Sequence, residues 1–263
     1  MILRKNALKQ RLRGGSVLLG CSFNESRDPG MVYTLAANGA DVVFFDFEHN
    51  IHNTETVMDL VAHAHAAGIS PLVRPPMVDE AWISRLLDGG CQSLLIPRLR
   101  TPQQVEQLVD LAMYQPRGSR GVAMVGGAGN NYCEVTDVPR AMEWANDQLL
   151  LGIVIETAQA VENLAEMLVP EIGLAVIGYQ DLAHSYGVAG QMDHPLVIDA
   201  ERQLAALCME RGIAYGAFRS DPAAIASDIE MGAQLIVHGG LLAFVRRGVR
   251  AAARAVQDAQ ARA

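Results

Sequence analysis

The stretch Leu149-Leu150-Leu151-Gly152-Ile153-Val154-Ile155-Glu156 decides the fold class that this sequence predicts. Every residue before the last is apolar or glycine, without the apolar–polar alternation of a strand that has one face in water. Such a run is typical of a strand in a parallel sheet whose two faces are both covered by protein. A carboxylate, Glu156, ends the run. The stretch therefore predicts a buried parallel strand with an acidic group where the chain leaves the sheet.

Similar runs occur along the rest of the chain, and helical patterns separate most of them. These runs are residues 16–21, 41–46, 70–74, 93–96, 173–178, 214–218 and 234–238. Helical segments are predicted at residues 54–67, 79–87, 101–113 and 223–231, from apolar spacing or from an N-cap residue followed by proline. Strands that alternate with helices indicate an α/β protein with a parallel sheet.

Eight β/α units in 263 residues match the size of a (β/α)8 TIM barrel, which has about 250 residues. Because no linker or shift in composition divides the chain, we expect a single TIM-barrel domain over residues 1–263. A doubly wound open sheet is the alternative. That fold usually has a glycine-rich turn after its first strand, and residues 21–26 contain no glycine. The longest irregular stretch, residues 114–131, is expected to lie near the active face.

The composition excludes several classes of protein. The net charge of −8 argues against a general nucleic-acid binder, which needs a basic surface. No apolar run approaches the roughly 20 residues of a membrane span, and the charged N-terminus lacks the apolar core of a signal peptide. The four cysteines are scattered and form no CxxC pair, which favours reduced thiols and a cytoplasmic location.

Two carboxylates follow neighbouring predicted strands, at the end of the barrel where TIM-barrel enzymes have their chemistry. These are Glu156 and Asp181. Adjacent strands lie about 4.8 Å apart, so the two side chains can bind one ion. Carboxylates without clustered cysteine or histidine favour a hard cation such as Mg²⁺ or Mn²⁺. The alternative is that both carboxylates cap helices.

An arginine and a histidine are expected at the same rim. Arg74 follows an apolar strand directly, so its charge must be met either by a substrate oxygen or by an internal salt bridge. His49 lies three residues after Asp46, and a histidine oriented by a carboxylate is a usual general base. A hydrogen-bond network at the strand end is the alternative for this pair.

Several short motifs, taken in order, resemble those of a known family of enzymes. They are Asp46-Phe-Glu-His49, Val73-Arg-Pro75, Leu87-Asp-Gly-Gly90, Pro116-Arg-Gly-Ser-Arg-Gly121, Ile155-Glu-Thr157 with Asn163, and Gly178-Tyr-Gln-Asp-Leu182. The family is that of the metal-dependent pyruvate aldolases, which includes the 4-hydroxy-2-oxoheptanedioate and 2-dehydro-3-deoxyglucarate aldolases. The resemblance extends from about residue 6 to the late 230s. It implies a barrel of the phosphoenolpyruvate/pyruvate-domain type with an extra N-terminal helix.

The resemblance also implies roles for individual residues. Glu156 and Asp181 would bind the divalent metal, which is Mg²⁺ or Mn²⁺, with Co²⁺ as a further candidate. Arg74 would hold the keto oxygen of the substrate and stabilise the enolate. His49, paired with Asp46, would assist proton transfer.

The segment from Gly178 to Asp181 would lie against the substrate carboxylate. Here the sequence departs from the family pattern, because Tyr179 and Gln180 stand where Pro and Ala or Ser are common. Both are retained as substrate-binding candidates, and the large Tyr179 is expected to reshape the carboxylate pocket. The family also forms trimers or hexamers, so a homo-trimer or homo-hexamer is expected.

The expected reaction is the reversible cleavage of a 4-hydroxy-2-oxo acid to pyruvate, or a related 2-oxo acid, and an aldehyde. The base is either a water molecule on the metal or the His49–Asp46 pair, and the sequence does not choose between them. Schiff-base aldolases need a catalytic lysine. The only lysines, Lys5 and Lys9, precede the first strand, which favours the metal route.

Two other functions remain open from the sequence. One is a lyase of the malyl- or citramalyl-CoA type, which shares the metal chemistry but must bind an anionic carrier. The acidic charge and the shortage of lysine disfavour it. The other is a barrel that binds a 2-oxo acid without catalysis, for which the unusual Tyr179 and Gln180 are the motive.

Overall fold

The computed structural model describes residues 4–219 and 221–262. Its strands are β1 Leu18–Phe23, β2 Val42–Asp46, β3 Ser70–Arg74, β4 Ser93–Ile96, β5 Leu150–Ile155, β6 Ile172–Ile177, β7 Ala214–Arg219 and β8 Ala233–Gly240. Within the described residues these eight strands form a closed barrel in sequence order, and all of them are parallel. The TIM-barrel prediction is confirmed. The open sheet is wrong, because β1 pairs with both β2 and β8 and leaves no free edge.

Helices lie before the first strand, in each connection between successive strands and after the last strand. They are α1 Ala7–Arg13, α2 Pro29–Ala37, α3 Thr54–Ala67, α4 Glu80–Asp88, α5 Pro102–Ala112, α6 Val138–Gln148, α7 Ala158–Glu162, α8 Leu164–Met167, α9 Tyr179–Ser185, α10 Pro195–Arg211, α11 Ile225–Glu230 and α12 Leu241–Arg262. The helix predicted over 54–67 has those bounds, because Asn53 caps its start and Gly68 ends it in a left-handed conformation. Thr101 and Gln104 form a capping box at the start of α5.

The barrel has an inner and an outer apolar layer, which follow from the alternation of side chains along each strand. The inner layer includes Phe44, Leu72, Val154 and Val176, all at most 3 % exposed. Two residues further along β2 and β3, the same alternation places Asp46 and Arg74 on the inner side of the C-terminal mouth. Glu156 directly follows the end of β5 and lies two residues after the inward-facing Val154, so it is also on the inner side of the mouth.

The predicted N-terminal helix is present and covers the opposite, N-terminal end of the barrel. Leu8 and Leu12 of α1 are buried in the inner apolar layer. Asn6 caps α1 and donates to the carbonyl oxygens of Gln92 and Gln148, at the starts of the chain segments that enter β4 and β5. Helix α1 therefore closes the barrel floor.

The long irregular stretch lies at this floor, so its expected position near the active face is wrong. Arg4 donates to the Asn131 side chain at 2.8 Å, and Arg120 pairs with Asp88 at the end of α4. The physical reason is the direction of α5, which returns the chain from the C-terminal face to the N-terminal face before the loop begins.

Helix α12 has an exposed apolar stripe. Leu242, Val245, Val249 and Val256 are each 43 % exposed or more, and α12 has no buried residue. Their spacing places them on one side of the helix. Along the described chain, no helix is both long and apolar enough to cross a membrane.

Candidate active site

The register of β2 and β3 brings two of the predicted residues into direct contact. Asp46 and Arg74 are paired positions on these neighbouring strands. Arg74 donates from Nε to Asp46 Oδ1 at 2.8 Å and from Nη2 to Asp46 Oδ2 at 2.6 Å. Burial alone would lower the pKa of Arg74. The hydrogen bonds to Asp46 and the negative charges of Asp46 and Glu48 outweigh that effect, so the pKa of Arg74 is raised above its ordinary value. Arg74 is therefore a fixed cation in a forked ion pair at the barrel mouth.

The predicted pairing of His49 with Asp46 differs from what the structure shows. Both Asp46 oxygens accept from Arg74, and Asp46 Oδ1 also accepts from the Glu48 backbone N–H. The carboxylate beside His49 is Glu48, whose Oε2 lies 3.7 Å from His49 Nε2. The reason is local: a turn after β2 points the Glu48 side chain inward, with 6 % of it exposed, while His49 is 52 % exposed.

Glu48 is a central anion of the mouth. Its Oε2 lies 3.2 Å from Arg74 Nη1, and its Oε1 accepts from Nε of Arg98. Oε2 is buried and accepts no hydrogen bond from the described residues. One carboxylate thus joins two guanidinium groups at the barrel mouth.

Glu156 occupies the mouth at the end of β5. Its side chain accepts from the backbone N–H of Arg98. Burial raises the pKa of Glu156 to about 7, and the negative charges of Glu48 and Asp181 also raise it, against the opposing hydrogen bond from Arg98. Gly178 lies so close that a Cβ there would be 2.7 Å from Glu156 Cβ. Glycine at 178 is therefore required for the close approach of β6 to this carboxylate.

Asp181 and Gln180 are exposed in the first turn of α9. The alternative hypothesis, that Glu156 and Asp181 are helix caps, is not what the structure shows. Thr157, rather than Glu156, caps α7, and the N-cap of α9 is Gly178, with no side-chain hydrogen bond. Both carboxylates thus remain available at the mouth.

Tyr179 lies outside the mouth, contrary to the expectation that it reshapes the substrate pocket. Its side chain is in the outer apolar layer, and its hydroxyl donates to Glu201 of α10 at 2.5 Å. Tyr215 and Arg219 donate to the same Glu201 oxygen, at 2.6 and 2.7 Å. Arg219 also pairs with the buried Asp228 and stacks on the Tyr179 ring at 4.2 Å. As the first residue of α9, Tyr179 directs its ring toward α10 and β7, away from the mouth.

Arg98 is a residue of the mouth that was not predicted from the sequence. It lies two residues beyond Ile96, the end of β4, and its φ of 62° is unusual for a residue other than glycine. The signal was present, because reading the polar residue that follows each apolar run identifies Arg98 after residues 93–96. The buried network around Glu201 gave no such signal, since its members are far apart in sequence.

The donor set fits a divalent cation with oxygen ligands. Among the described residues, no three metal-binding side chains come together, so the protein supplies few ligands. Burial is the main cause of the raised pKa of Glu156, and a cation held by Glu156 and Asp181 would also offset the smaller contribution of the nearby negative charges. Two carboxylates with room for water and substrate oxygens suit Mg²⁺ or Mn²⁺.

Neither lysine is near this site. Lys9 Nζ donates to the carbonyl oxygens of Asp147 and Leu149, at 2.7 and 2.6 Å, just before β5. Glu156 is at the other end of the same strand, roughly 20 Å away at the rise of a β-strand. A Schiff base from Lys9 at this mouth is therefore ruled out by distance.

A closed parallel barrel with carboxylates and arginines at its C-terminal mouth defines an enzyme of the TIM-barrel class. Residues 20–245 match the family model described as HpcH/HpaI aldolase/citrate lyase. The chain belongs to this family. It is a carbon–carbon lyase of the aldolase type, and the family is generally dependent on divalent metal ions.

Individual relatives agree with this assignment. The chain is similar to a 4-hydroxy-2-oxo-heptane-1,7-dioate aldolase from Salmonella typhimurium, with 31% identity over 95% of this chain and 94% of that protein. The crystal structure of an HpcH/HpaI aldolase from Desulfitobacterium hafniense is similar with a TM-score of 0.88 and 29% identity, over 95% of this chain and 96% of that one. A family protein from Burkholderia cenocepacia gives a TM-score of 0.89 and 29% identity, over 96% and 99%.

Proposed function

We propose that this protein is a divalent-metal-dependent aldolase that reversibly cleaves a 4-hydroxy-2-oxo acid. The products are pyruvate, or a closely related 2-oxo acid, and an aldehyde. The observation that carries the proposal is the buried Glu156 at the barrel mouth, beside the charge of Asp181 and on the same face as the Arg74 guanidinium. This set supplies negative charge for a cation and positive charge for an enolate within one small site.

Glu156 and Asp181 are the proposed metal ligands. A divalent ion held by these two carboxylates would supply Lewis-acid chemistry for the 2-oxo acid. Glu156 is held for this role by the Arg98 backbone N–H and by close contact with Gly178. Mg²⁺ and Mn²⁺ are the proposed ions, with Co²⁺ as a further candidate.

Arg74 is the proposed cation for the developing enolate oxygen. A guanidinium has five N–H groups. Two of those in Arg74 donate to Asp46, and Nη1 also contacts Glu48. Two N–H groups remain for a substrate oxygen. Since Asp46 already fixes the plane of the guanidinium, little reorganisation is needed as negative charge develops.

His49 is the proposed proton carrier at the outer side of the mouth. In cleavage, the 4-hydroxyl proton moves to His49 Nε2 as the C3–C4 bond breaks, which leaves the aldehyde carbonyl and the enolate. Return of that proton from His49 to C3 of the enolate then gives the 2-oxo acid and restores the neutral imidazole. Glu48, 3.7 Å from His49 Nε2, stabilises the protonated ring. The role proposed for Asp46 is to orient Arg74.

The turn at Gly178 and Gln180 is proposed to contact the substrate carboxylate. Gln180 is exposed beside Asp181 and offers an amide donor. Tyr179, with its ring in the outer layer, acts on this turn only by holding it against α10. It is therefore a positioning residue rather than a substrate ligand.

The whole chain is proposed to be a single TIM-barrel domain that assembles as a homo-trimer or homo-hexamer. The exposed apolar stripe of α12 supports assembly, because monomers rarely leave a helix face of this kind in water. Cys21, Cys91 and Cys208 are buried and form no disulfide among the described residues, which supports a reducing, cytoplasmic location.

The test is a search for carbon–carbon bond formation. Purified protein is incubated with pyruvate, a panel of aldehydes and Mg²⁺, Mn²⁺ or Co²⁺, and 4-hydroxy-2-oxo acids are detected by mass spectrometry. The proposal predicts a product with at least one aldehyde in the presence of metal. Metal-dependent pyruvate binding with no product would favour a non-catalytic barrel, and cleavage confined to CoA thioesters would favour the acyl-CoA lyase.

A further inference from the structure

We propose that the floor of the barrel, at the end opposite the mouth, has a binding site for a small oxyanion that carries two or more negative charges. The site is a cavity between helix α1, the loop that follows α5 and the chain that enters β5, β6 and β7. It lies at the other end of β5 from Glu156, roughly 20 Å away at the rise of a β-strand. The inference is therefore independent of the aldol reaction.

The cavity is large enough for a small molecule and has an apolar inner wall. Its volume is about 410 Å³, within the range of small-molecule pockets. The wall includes Leu12, Leu149, Leu168 and Ile213, each at most 7 % exposed. Polar groups that line such a pocket decide which ligand it takes.

Positive side chains outnumber negative ones around this cavity. Among the described residues, Glu171 alone contributes a carboxylate to the lining, whereas the cations are Lys9, Arg13, Arg117 and Arg211. The whole chain has a net charge of −8, so this local excess of positive charge has the opposite sign to the molecule as a whole. A concave site lined by one sign of charge attracts ions of the other sign.

Two of these cations keep all their side-chain donors free. Within the described ranges, the guanidinium groups of Arg13 and Arg117 form no hydrogen bond or ion pair. Arg211 differs, because its Nη1 donates to the carbonyl oxygens of Ala165 and Leu168. A guanidinium is a forked donor that stays charged and matches the oxygens of a carboxylate or a phosphate.

Rigid elements present both free arginines. Arg13 is the last residue of α1, whose Leu12 is buried in the inner apolar layer. Arg117 precedes Gly118, where a Cβ would be 2.5 Å from the carbonyl oxygen of Met113 at the end of α5. The turn therefore packs tightly against α5. Donors held in this way lose less conformational freedom when a ligand binds.

Lys9 adds a third cation that is affected by the two arginines. Burial lowers the pKa of Lys9 to about 8, and the positive charges of Arg13 and Arg117 also lower it, against the opposing charge of Asp147. The three cations are thus close enough to repel one another. A bound anion would relieve this repulsion and favour the charged form of Lys9.

The alternative is that these cations only balance carboxylates outside the cavity. Glu143 and Asp147 of α6 line a neighbouring groove that also includes Lys9, Arg13 and Arg117. In the part of the chain that the structure describes, neither carboxylate forms an ion pair with either arginine. The arginines therefore remain available to a ligand, which favours the anion site.

Inorganic pyrophosphate is the first probe, titrated into the full chain by calorimetry in metal-free buffer of constant ionic strength. We expect binding at one site. The double variant Arg13→Gln, Arg117→Gln is expected to weaken it by about tenfold or more, because charge-assisted hydrogen bonds are lost. Arg11→Gln is the matched control and keeps the affinity, since Arg11 is on the same helix, lines neither cavity and pairs with Asp41 at 2.7 Å.

The same variants separate the floor from the mouth. Absence of pyrophosphate binding to the unaltered protein would overturn the inference. Equal affinity in the double variant would also overturn it, because the anion would then lie elsewhere, for example at Arg74. The melting temperature without anion checks folding, which both replacements should preserve because Arg13 and Arg117 are exposed. Pyrophosphate should raise the melting temperature of the unaltered protein and leave that of the double variant unchanged.

Two further titrations identify the source of the oxyanion. Tricarballylate carries three carboxylates, and chloride is a small anion without oxygen. Tighter binding of pyrophosphate supports the site and assigns phosphate chemistry to it, whereas tighter binding of tricarballylate supports the site and assigns polycarboxylate chemistry. Chloride that displaces pyrophosphate at equal concentration would contradict the inference, because general charge screening would then explain the binding.

Discussion

Arg74 illustrates how one residue at the mouth serves both structure and chemistry. The sequence left two partners open for Arg74, an internal salt bridge or a substrate oxygen. The structure shows the salt bridge with Asp46, and other N–H groups of Arg74 remain for a substrate oxygen. The two alternatives are therefore compatible. Removing the side chain would leave Asp46 buried without its partner, so a conservative replacement is the more informative variant.

Arg74→Lys is expected to reduce kcat for aldol cleavage by about a hundredfold or more. Lysine keeps the positive charge but cannot bind Asp46 with two N–H groups and an enolate oxygen at once. Cleavage is measured by coupled detection of pyruvate, with the melting temperature as the control for folding. Near-normal kcat in a folded variant would contradict the role of Arg74.

Gly178→Ala is expected to weaken metal binding by roughly tenfold or more, because a Cβ at 178 would displace a proposed metal ligand. That Cβ would lie 2.7 Å from Glu156 Cβ. The dissociation constant for Mn²⁺ is measured by calorimetry. Gly173→Ala, within β6, is the control, since its Cβ would meet the flexible end of the Leu150 side chain. Equal affinity in both variants would remove Glu156 from the metal site.

At the level of elements, the strands and the helix α3 were predictable because each carries its own local signal. Continuous apolar runs identify buried parallel strands, and Asn53 and Gly68 mark the ends of α3. The position of the loop after α5 was predicted wrongly. Its polar residues and glycines are typical of a functional loop, but the end of the barrel at which it lies depends on where α5 ends.

The turn between β6 and α9 shows what sequence order cannot supply. Tyr179 directly follows Gly178, which suggested a role in substrate binding. The phenol instead meets Glu201, Tyr215 and Arg219, whose proximity depends on the packing of α10 against β6 and β7. A motif identifies positions on a strand end, but only the packed barrel decides which side chains point into the mouth.

Tyr179→Phe is expected to lower the free energy of unfolding by about 1–2 kcal/mol, because a buried hydrogen bond to a carboxylate is lost. The KM for pyruvate should change by less than about threefold, since the side chain makes no contact with the mouth. Unfolding in urea and steady-state kinetics give the two values. Tyr215→Phe removes another donor to Glu201 and serves as the control. A large rise in KM for Tyr179→Phe alone would restore it as a substrate ligand.

For the whole molecule, the proposed assembly depends on α12. Val249 is 63 % exposed in its apolar stripe, and Ala251, two residues on, faces about 160–200° away at 100° per residue. Val249→Asp is therefore expected to reduce the oligomer to smaller species, whereas Ala251→Asp leaves the assembly intact. Light scattering after size-exclusion chromatography measures the mass. A monomeric unaltered protein, or equal masses in all three proteins, would contradict assembly through this stripe.

The length of the chain and its number of β/α units predicted the class of fold better than the sequence predicted the details of the site. Eight units in a chain of this length gave the barrel, and the absence of lysine beyond residue 9 excluded Schiff-base chemistry at the mouth. The ion-pair arrangement of Asp46, Glu48, Arg74 and Arg98 was not predictable, because the same residues allow several pairings and only the register of the strands and the turn after β2 select one.

The most direct test of the account is whether enolisation of pyruvate depends on a metal ion. The protein is treated with EDTA, dialysed, and assayed for exchange of the pyruvate methyl protons in D₂O before and after Mg²⁺ or Mn²⁺ is restored. Exchange is expected to stop when the metal is removed and to return when it is added, while the protein remains folded throughout. Undiminished exchange by protein with no detectable metal would contradict it.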